Sequence, residues 1–106
     1  MIYLAGKISG DPLYYTKFLL WERDIKEQGL EVYNPARIID NPVVYDYVKN
    51  NSDRAVWRFC MRMVIKNLRL CDTIAMLPKW QDSRGARFEH WIAKRRGLKI
   101  IYLGCE

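Results

Sequence analysis

Seven consecutive residues, Ser83-Arg84-Gly85-Ala86-Arg87-Phe88-Glu89, hold the side chains best suited to chemistry: a hydroxyl, two guanidinium groups and a carboxylate. Ser83 stands where a helix N-cap belongs. A hydroxyl, free backbone N–H groups and arginines at a helix start make an anion site suited to phosphate or sugar hydroxyls. Glu89 is the carboxylate of the segment. At about 100° per helical residue, Gly85 and Ile92 fall on one side of it and Ala86 and Ala93 on the other. Arg87, His90, Lys94 and Arg95 point away, so Glu89 faces the core. A buried carboxylate is costly unless paired or used. The competing reading is an ordinary polar residue leaning out at a sheet edge.

Other candidates are weaker singly. Gly6-Lys7-Ile8-Ser9-Gly10 joins a strand to a helix and lets a ligand approach the backbone closely. It lacks the upstream glycine and following Ser or Thr of a Walker loop, and it is not G-x-G-x-x-G. Tyr3 lies mid-strand, where its hydroxyl either finds a core partner or orients the Glu89 carboxylate. Tyr45, Tyr47, Trp57 and Trp80 offer a stacking surface for a base or, equally, core packing. Asp72 opens a strand at the amino end of the sheet, which suits a structural role.

These side chains need elements to position them. Residues 1–5 read as a buried strand ending at Gly6. A helix follows from about Leu13 to Gln28, with Tyr14, Phe18, Trp21 and Ile25 at helical spacing and Gly29 as its stop. Residues 30–33 form a second strand, closed by Asn34-Pro35. Residues 34–53 read as an irregular loop, long enough to be functional or mobile. A second helix spans about Arg54 to Leu70, with Trp57, Met61, Val64, Ile65 and Leu68 as its inner stripe. Residues 73–77 form a third strand, ended by Pro78. The last helix covers about Arg84 to Arg96, stopped by Gly97, and residues 98–103 form the final strand. Alternating helices and apolar strands predict one α/β domain over residues 1–106, with a flavodoxin-like parallel sheet of about four or five strands covered on both faces. Ligands in such sheets bind at the carboxyl ends of the strands.

Composition narrows the class. The chain has 106 residues, half of them apolar, which suits one packed core. No apolar run reaches the roughly 18 residues needed to span a bilayer, and the start lacks signal-peptide features. A cytoplasmic protein without membrane association is expected. Cys60, Cys71 and Cys105 lack C-x-x-C spacing and His90 stands alone, so no metal or cofactor is expected. The net charge of +6 is spread along the chain without a nucleic-acid motif. It indicates an anionic small molecule more than DNA or RNA.

Taken together, the chain resembles the nucleoside 2-deoxyribosyltransferase superfamily, most closely its short, often phage- or prophage-encoded branch (DUF4406). The resemblance is carried by Ile2-Tyr3-Leu4-Ala5-Gly6, Asn34-Pro35-Ala36, Trp57, Met61-Arg62, Cys71-Asp72, Leu77-Pro78 with Trp80, and Ser83-Arg84-Gly85-Ala86 leading to Glu89. It implies a homo-oligomer in which a neighbouring subunit helps complete each pocket, and chemistry at an N-glycosidic bond. The Glu89 position would attack C1′ of deoxyribose and hold a glycosyl ester, with the Tyr3 position holding that carboxylate. The Gly6–Gly10 loop and Ser83 match positions that contact sugar and phosphate in the deoxynucleoside 5′-monophosphate glycosidases. Ser83 therefore tilts the substrate towards a phosphate-bearing nucleotide, and Arg84 and Arg87 agree electrostatically.

Two positions depart from the pattern. Active members carry an aspartate where Val64 stands, and relatives tend to have glycine where Lys79 stands. General acid–base help is typically worth 10²–10⁴-fold, so its loss slows or removes the chemistry. Two functions follow. One is cleavage or transfer of the N-glycosidic bond of a (deoxy)nucleoside 5′-phosphate, with Glu89 as nucleophile. The other is a non-catalytic module that sequesters a nucleotide or a cyclic, nucleotide-derived immune signal, with Lys79 adding charge at the pocket edge.

Overall fold

Strand β1 (Ile2–Ala5) is apolar and buried at every position, as a strand covered on both faces must be. A computed structural model describes residues 1–8, 10–39, 47 and 49–104. Within it β1 pairs in parallel with β2 (Val32–Tyr33) on one side and β3 (Thr73–Met76) on the other. Strand β4 (Lys99–Tyr102) pairs in parallel with β3, giving one α/β sheet of order β2-β1-β3-β4. The carboxyl ends of β1 and β3 therefore lie side by side where the strand order reverses. Open sheets of this kind bind ligands at that point.

Among the described residues the connecting helices are α1 (Tyr14–Glu27), α2 (Ala36–Ile39), α3 (Asp53–Leu68) and α4 (Arg84–Arg95). Side chains alternate across a strand, and the core divides accordingly. Ile2, Leu4, Ala75 and Leu77 pack with Phe18 and Ile25 of α1. On the opposite face Tyr3, Ala5, Ile74 and Met76 pack with Leu68 of α3 and with Ala86 and Ala93 of α4. Ser52 and Ser83 cap α3 and α4, each accepting a backbone N–H bond at 3.2 Å. Gly29 and Gly97, just beyond α1 and α4, take positive φ as helix-ending glycines do. No helix among the described residues is long and apolar enough to cross a membrane.

Three local expectations are corrected. The segment after β2 is not wholly irregular: Asn34 Oδ1 accepts the Ala36 N–H at 3.0 Å, and the short helix α2 starts there. In α1 the buried stripe includes Glu22, between Phe18 and Ile25. Arg37 from α2 neutralises it through Nε and Nη2, with Asn34 Nδ2 at 3.4 Å and Lys26 Nζ at 3.4 Å completing the set. These donors hold the Glu22 carboxyl below its ordinary pKa, Arg37 contributing most. His90 does not point away. It stacks on Trp80 at 4.3 Å and its Nε2 lies 2.8 Å from the Tyr102 hydroxyl.

Candidate functional site

Glu89 lies in the second turn of α4, on the helix face that Ala86 and Ala93 press onto the sheet, and is 7% exposed. Opposite it stands Tyr3, the second residue of β1, 2% exposed and reached because odd-numbered β1 residues face α4. Burial pushes the Glu89 carboxyl up to about 8, and hydrogen bonding from the Tyr3 hydroxyl offsets only part of that. At pH 7 about nine molecules in ten then carry Glu89 neutral. The Tyr3 phenol is held well above its usual value, first by burial and then by the neighbouring carboxylate. Tyr33 of β2 stacks on Tyr3 with ring centroids 5.3 Å apart, and burial raises its phenol to about 12.

Helix α3 roofs this pair. Trp57 meets Phe88 edge to face at 6.4 Å, and the Arg84 guanidinium lies 4.2 Å above the Trp57 ring. Val64, two turns further on, packs with the Tyr3 cluster. One turn before Val64, the Cys60 thiol is raised by burial first and by Glu89 second. Among the described residues, the groups whose pKa Glu89 raises are thus Tyr3, Tyr33 and Cys60. None is a carboxylate.

A second feature lies on the other face of the same edge. A cleft of 480 Å³ is lined by Lys7, Gly10, Asp11, Lys17, Trp21, Leu77, Pro78, Lys79 and Asp82. Gly6 and Gly10 serve different ends here. A Cβ on Gly6 would sit 2.8 Å from the Leu77 Cβ, so glycine lets the loops after β1 and β3 touch. Gly10 takes φ +80, which favours glycine. Lys79 also takes a left-handed conformation, φ +66, and is the only non-glycine to do so among the described residues. Asp11 Oδ2 accepts from Lys17 Nζ at 2.8 Å and its carboxyl is lowered, chiefly by that bond.

The candidate residues thus form two groups. Tyr3 and Glu89 meet on the α4 face, whereas Lys7, Gly10 and Lys79 line the cleft on the α1 face, and Glu89 does not line it. Ile8 packs on the α1-side core, and Ser9 and Tyr45 lie outside the described residues. Asn34 is committed to α2 and Glu22. Trp80 packs on the α4-side core and stacks on His90. Ser83 caps α4, and Gly85 has only the Ser83 Oγ near the place of a Cβ, at 3.9 Å. Asp72 stands at the opposite edge, 3.3 Å from the Met1 amino group. The sequence reading missed Asp11, Lys17 and Asp82 as cleft residues; their only signal was proximity to the Gly6–Gly10 and Pro78–Ser83 turns.

A family model described as Domain of unknown function (DUF4406) matches residues 1–102. The chain belongs to that family. No curated protein and no solved structure matches it. In this DUF4406 chain the geometry offers two chemical resources at one sheet edge. One is a buried, mostly neutral carboxyl beside a phenol, able to hold or release one proton near pH 8. The other is a cleft in which three ammonium groups face two carboxylates.

Proposed function

We propose that this protein binds a phosphate-bearing nucleotide and cleaves or transfers its N-glycosidic bond, with Glu89 as nucleophile. The observation that carries the reading is the Glu89–Tyr3 pair, a carboxyl held in the core against a phenol with no ion pair among the described residues to account for it. Contrast Glu22, whose burial is explained by Arg37, Asn34 and Lys26. The resemblance to the nucleoside 2-deoxyribosyltransferase superfamily supplies the reaction. Ionised Glu89 attacks C1′, the base leaves with the electrons of the C–N bond, and water or a second base opens the glycosyl ester. Tyr3 steadies the carboxylate by donating to it. Arg84, Ser83 and the first turn of α4 favour the 5′-phosphate. Only the ionised carboxyl is a nucleophile, so base release should rise with pH up to about 8.

The test is base release from a panel of deoxynucleoside monophosphates, followed by chromatography between pH 5 and 9. Glu89→Ala should abolish release while leaving nucleotide binding largely intact. Absence of free base from every nucleotide at every pH defeats the catalytic reading.

A specific observation favours a second reading. Val64 occupies the place of the expected aspartate and belongs to the apolar cluster around Tyr3. Without that acid, the Glu89–Tyr3 site would hold a nucleotide or cyclic nucleotide signal unchanged. Recovery of intact ligand after heat-denaturing the loaded protein supports sequestration. Calorimetry that detects no binding of either ligand class eliminates it.

A further inference from the structure

We propose that the lysine cleft is a second phosphate site, so that the ligand carries more than one phosphate group, as a nucleoside polyphosphate or a phosphodiester-linked dinucleotide does. This rests on the nucleotide reading above and specifies the ligand class.

Three observations converge on it. The cleft, at 480 Å³, is large enough for a multi-atom ligand group and lies at the carboxyl edge of β1 and β3. Two of its three cations are available. Among the described residues neither Lys7 nor Lys79 is in an ion pair, while Lys17 is oriented by Asp11. Lys79 also keeps a left-handed backbone at φ +66, where glycine would sit without strain. That φ belongs to the turn that the Trp80 N–H closes on the Leu77 carbonyl at 3.2 Å, with Pro78 before Lys79, and the turn fixes the lysine at the cleft wall.

Position then ties the cleft to Glu89. The two lie on opposite faces of the sheet, the cleft beside Leu77 and Glu89 beside Tyr3. One segment, Leu77 to Ser83, borders both: Lys79 lines the cleft and Ser83 caps the helix that carries Glu89. A ligand draped over this segment places its sugar towards Glu89, one phosphate at the start of α4 and a further phosphate among Lys7, Lys17 and Lys79. Trp21 and Leu77 supply an apolar wall. Asp82 offsets part of the positive charge, leaving three ammonium groups against two carboxylates.

The experiment is calorimetry at low salt on the full chain with dAMP, dATP, inorganic tripolyphosphate, a linear 5′-phosphorylated dinucleotide and a cyclic dinucleotide. The expected result is that dATP or a dinucleotide binds at least about tenfold more tightly than dAMP, the scale of one added charge-assisted contact. Tripolyphosphate alone binds and competes with it. Preference for dATP identifies a polyphosphate chain; preference for a dinucleotide identifies a phosphodiester. Lys79→Gly should bring the affinity ratio to dAMP towards unity, without lowering the melting temperature, because glycine suits that backbone. Lys17→Ala should weaken tripolyphosphate in parallel. Equal affinity for all the nucleotides, or tripolyphosphate binding unchanged in both variants, overturns the proposal. Tripolyphosphate binding without any nucleotide binding retains the cleft and refutes the nucleotide reading instead. Binding of neither refutes both.

Discussion

Replacing Glu89 with glutamine tests whether the core holds a neutral acid. In the folded chain the carboxyl titrates at about 8, against 4.5 for an ordinary glutamate. Between these values the unfolded chain has released the proton and the folded chain has kept it. Stability contributed by the neutral group is therefore complete below about pH 4.5 and drains away as pH rises to about 8. At about 1.4 kcal/mol per pH unit, the loss is roughly 2–3 kcal/mol between pH 5 and 7, and about 1 kcal/mol more by pH 9. Glutamine keeps the shape, presents a carbonyl oxygen to the Tyr3 hydroxyl and has no proton to lose. Urea denaturation of both proteins at pH 5, 7 and 9 reads the effect directly. The variant should gain on the parent by those amounts as pH rises, since contributions from groups that Glu89 does not shift, Cys71 and the surface groups among them, cancel in the difference. Stability profiles that stay parallel to within about 0.5 kcal/mol would refute the buried neutral carboxyl, and with it the pH dependence expected of base release.

Three further outcomes follow from the geometry. Gly6→Ala forces a Cβ to within 2.8 Å of the Leu77 Cβ and should destabilise the fold by about 1–3 kcal/mol in thermal or urea unfolding. Ser83→Ala removes the oxygen that accepts the Ala86 N–H and should cost about 1 kcal/mol; if Ser83 also meets phosphate, calorimetry should show weaker nucleotide binding in the same variant. Glu22→Gln strips Arg37 of its carboxylate partner, so it should lower the melting temperature at pH 7. Because the Glu22 carboxyl is depressed, that stability is present above about pH 4.5 and lost as pH falls, and the gap between variant and parent should narrow in acid.

The helical wheel around Glu89 was legible in the sequence because α4 has small residues on its inner face and charges on its outer one. The succession of strands and helices along the chain was accessible for a related reason: short, mostly apolar runs closed by Gly or Pro alternate with helices of clear periodicity. Glu22 was not found, although it sits between Phe18 and Ile25 in the same manner as Glu89. Its counter-charge, Arg37, comes from a different element, and pairing between elements leaves no trace in local spacing. His90 escaped for the same reason, since Trp80 and Tyr102 reach it from the loop after β3 and from β4. The grouping of Gly6–Gly10 with Glu89 into one pocket rested on both lying at the carboxyl edge. Which face of the sheet each occupies depends on where β1 side chains alternate and which helix covers them. The parity of Tyr3 and Leu4 contains that information, but only once the strand pairing is known.

The placement of β1 between β2 and β3 has a consequence for how the chain is made. Ile2 registers with Thr73, so the central pairing of the sheet joins segments about seventy residues apart. At a synthesis rate of 5–20 residues per second, β1 waits roughly 4–14 s for its main partner. Until then it has only the two-residue β2 to pair with, and its apolar side chains lack the α4 face altogether. β1 is thus made before both strands it pairs with, and assembly of the Glu89–Tyr3 pair waits until α4 has been made. A nascent chain arrested before β3 should expose β1 to proteases and to chaperones, and protection should appear in one step once α4 has emerged.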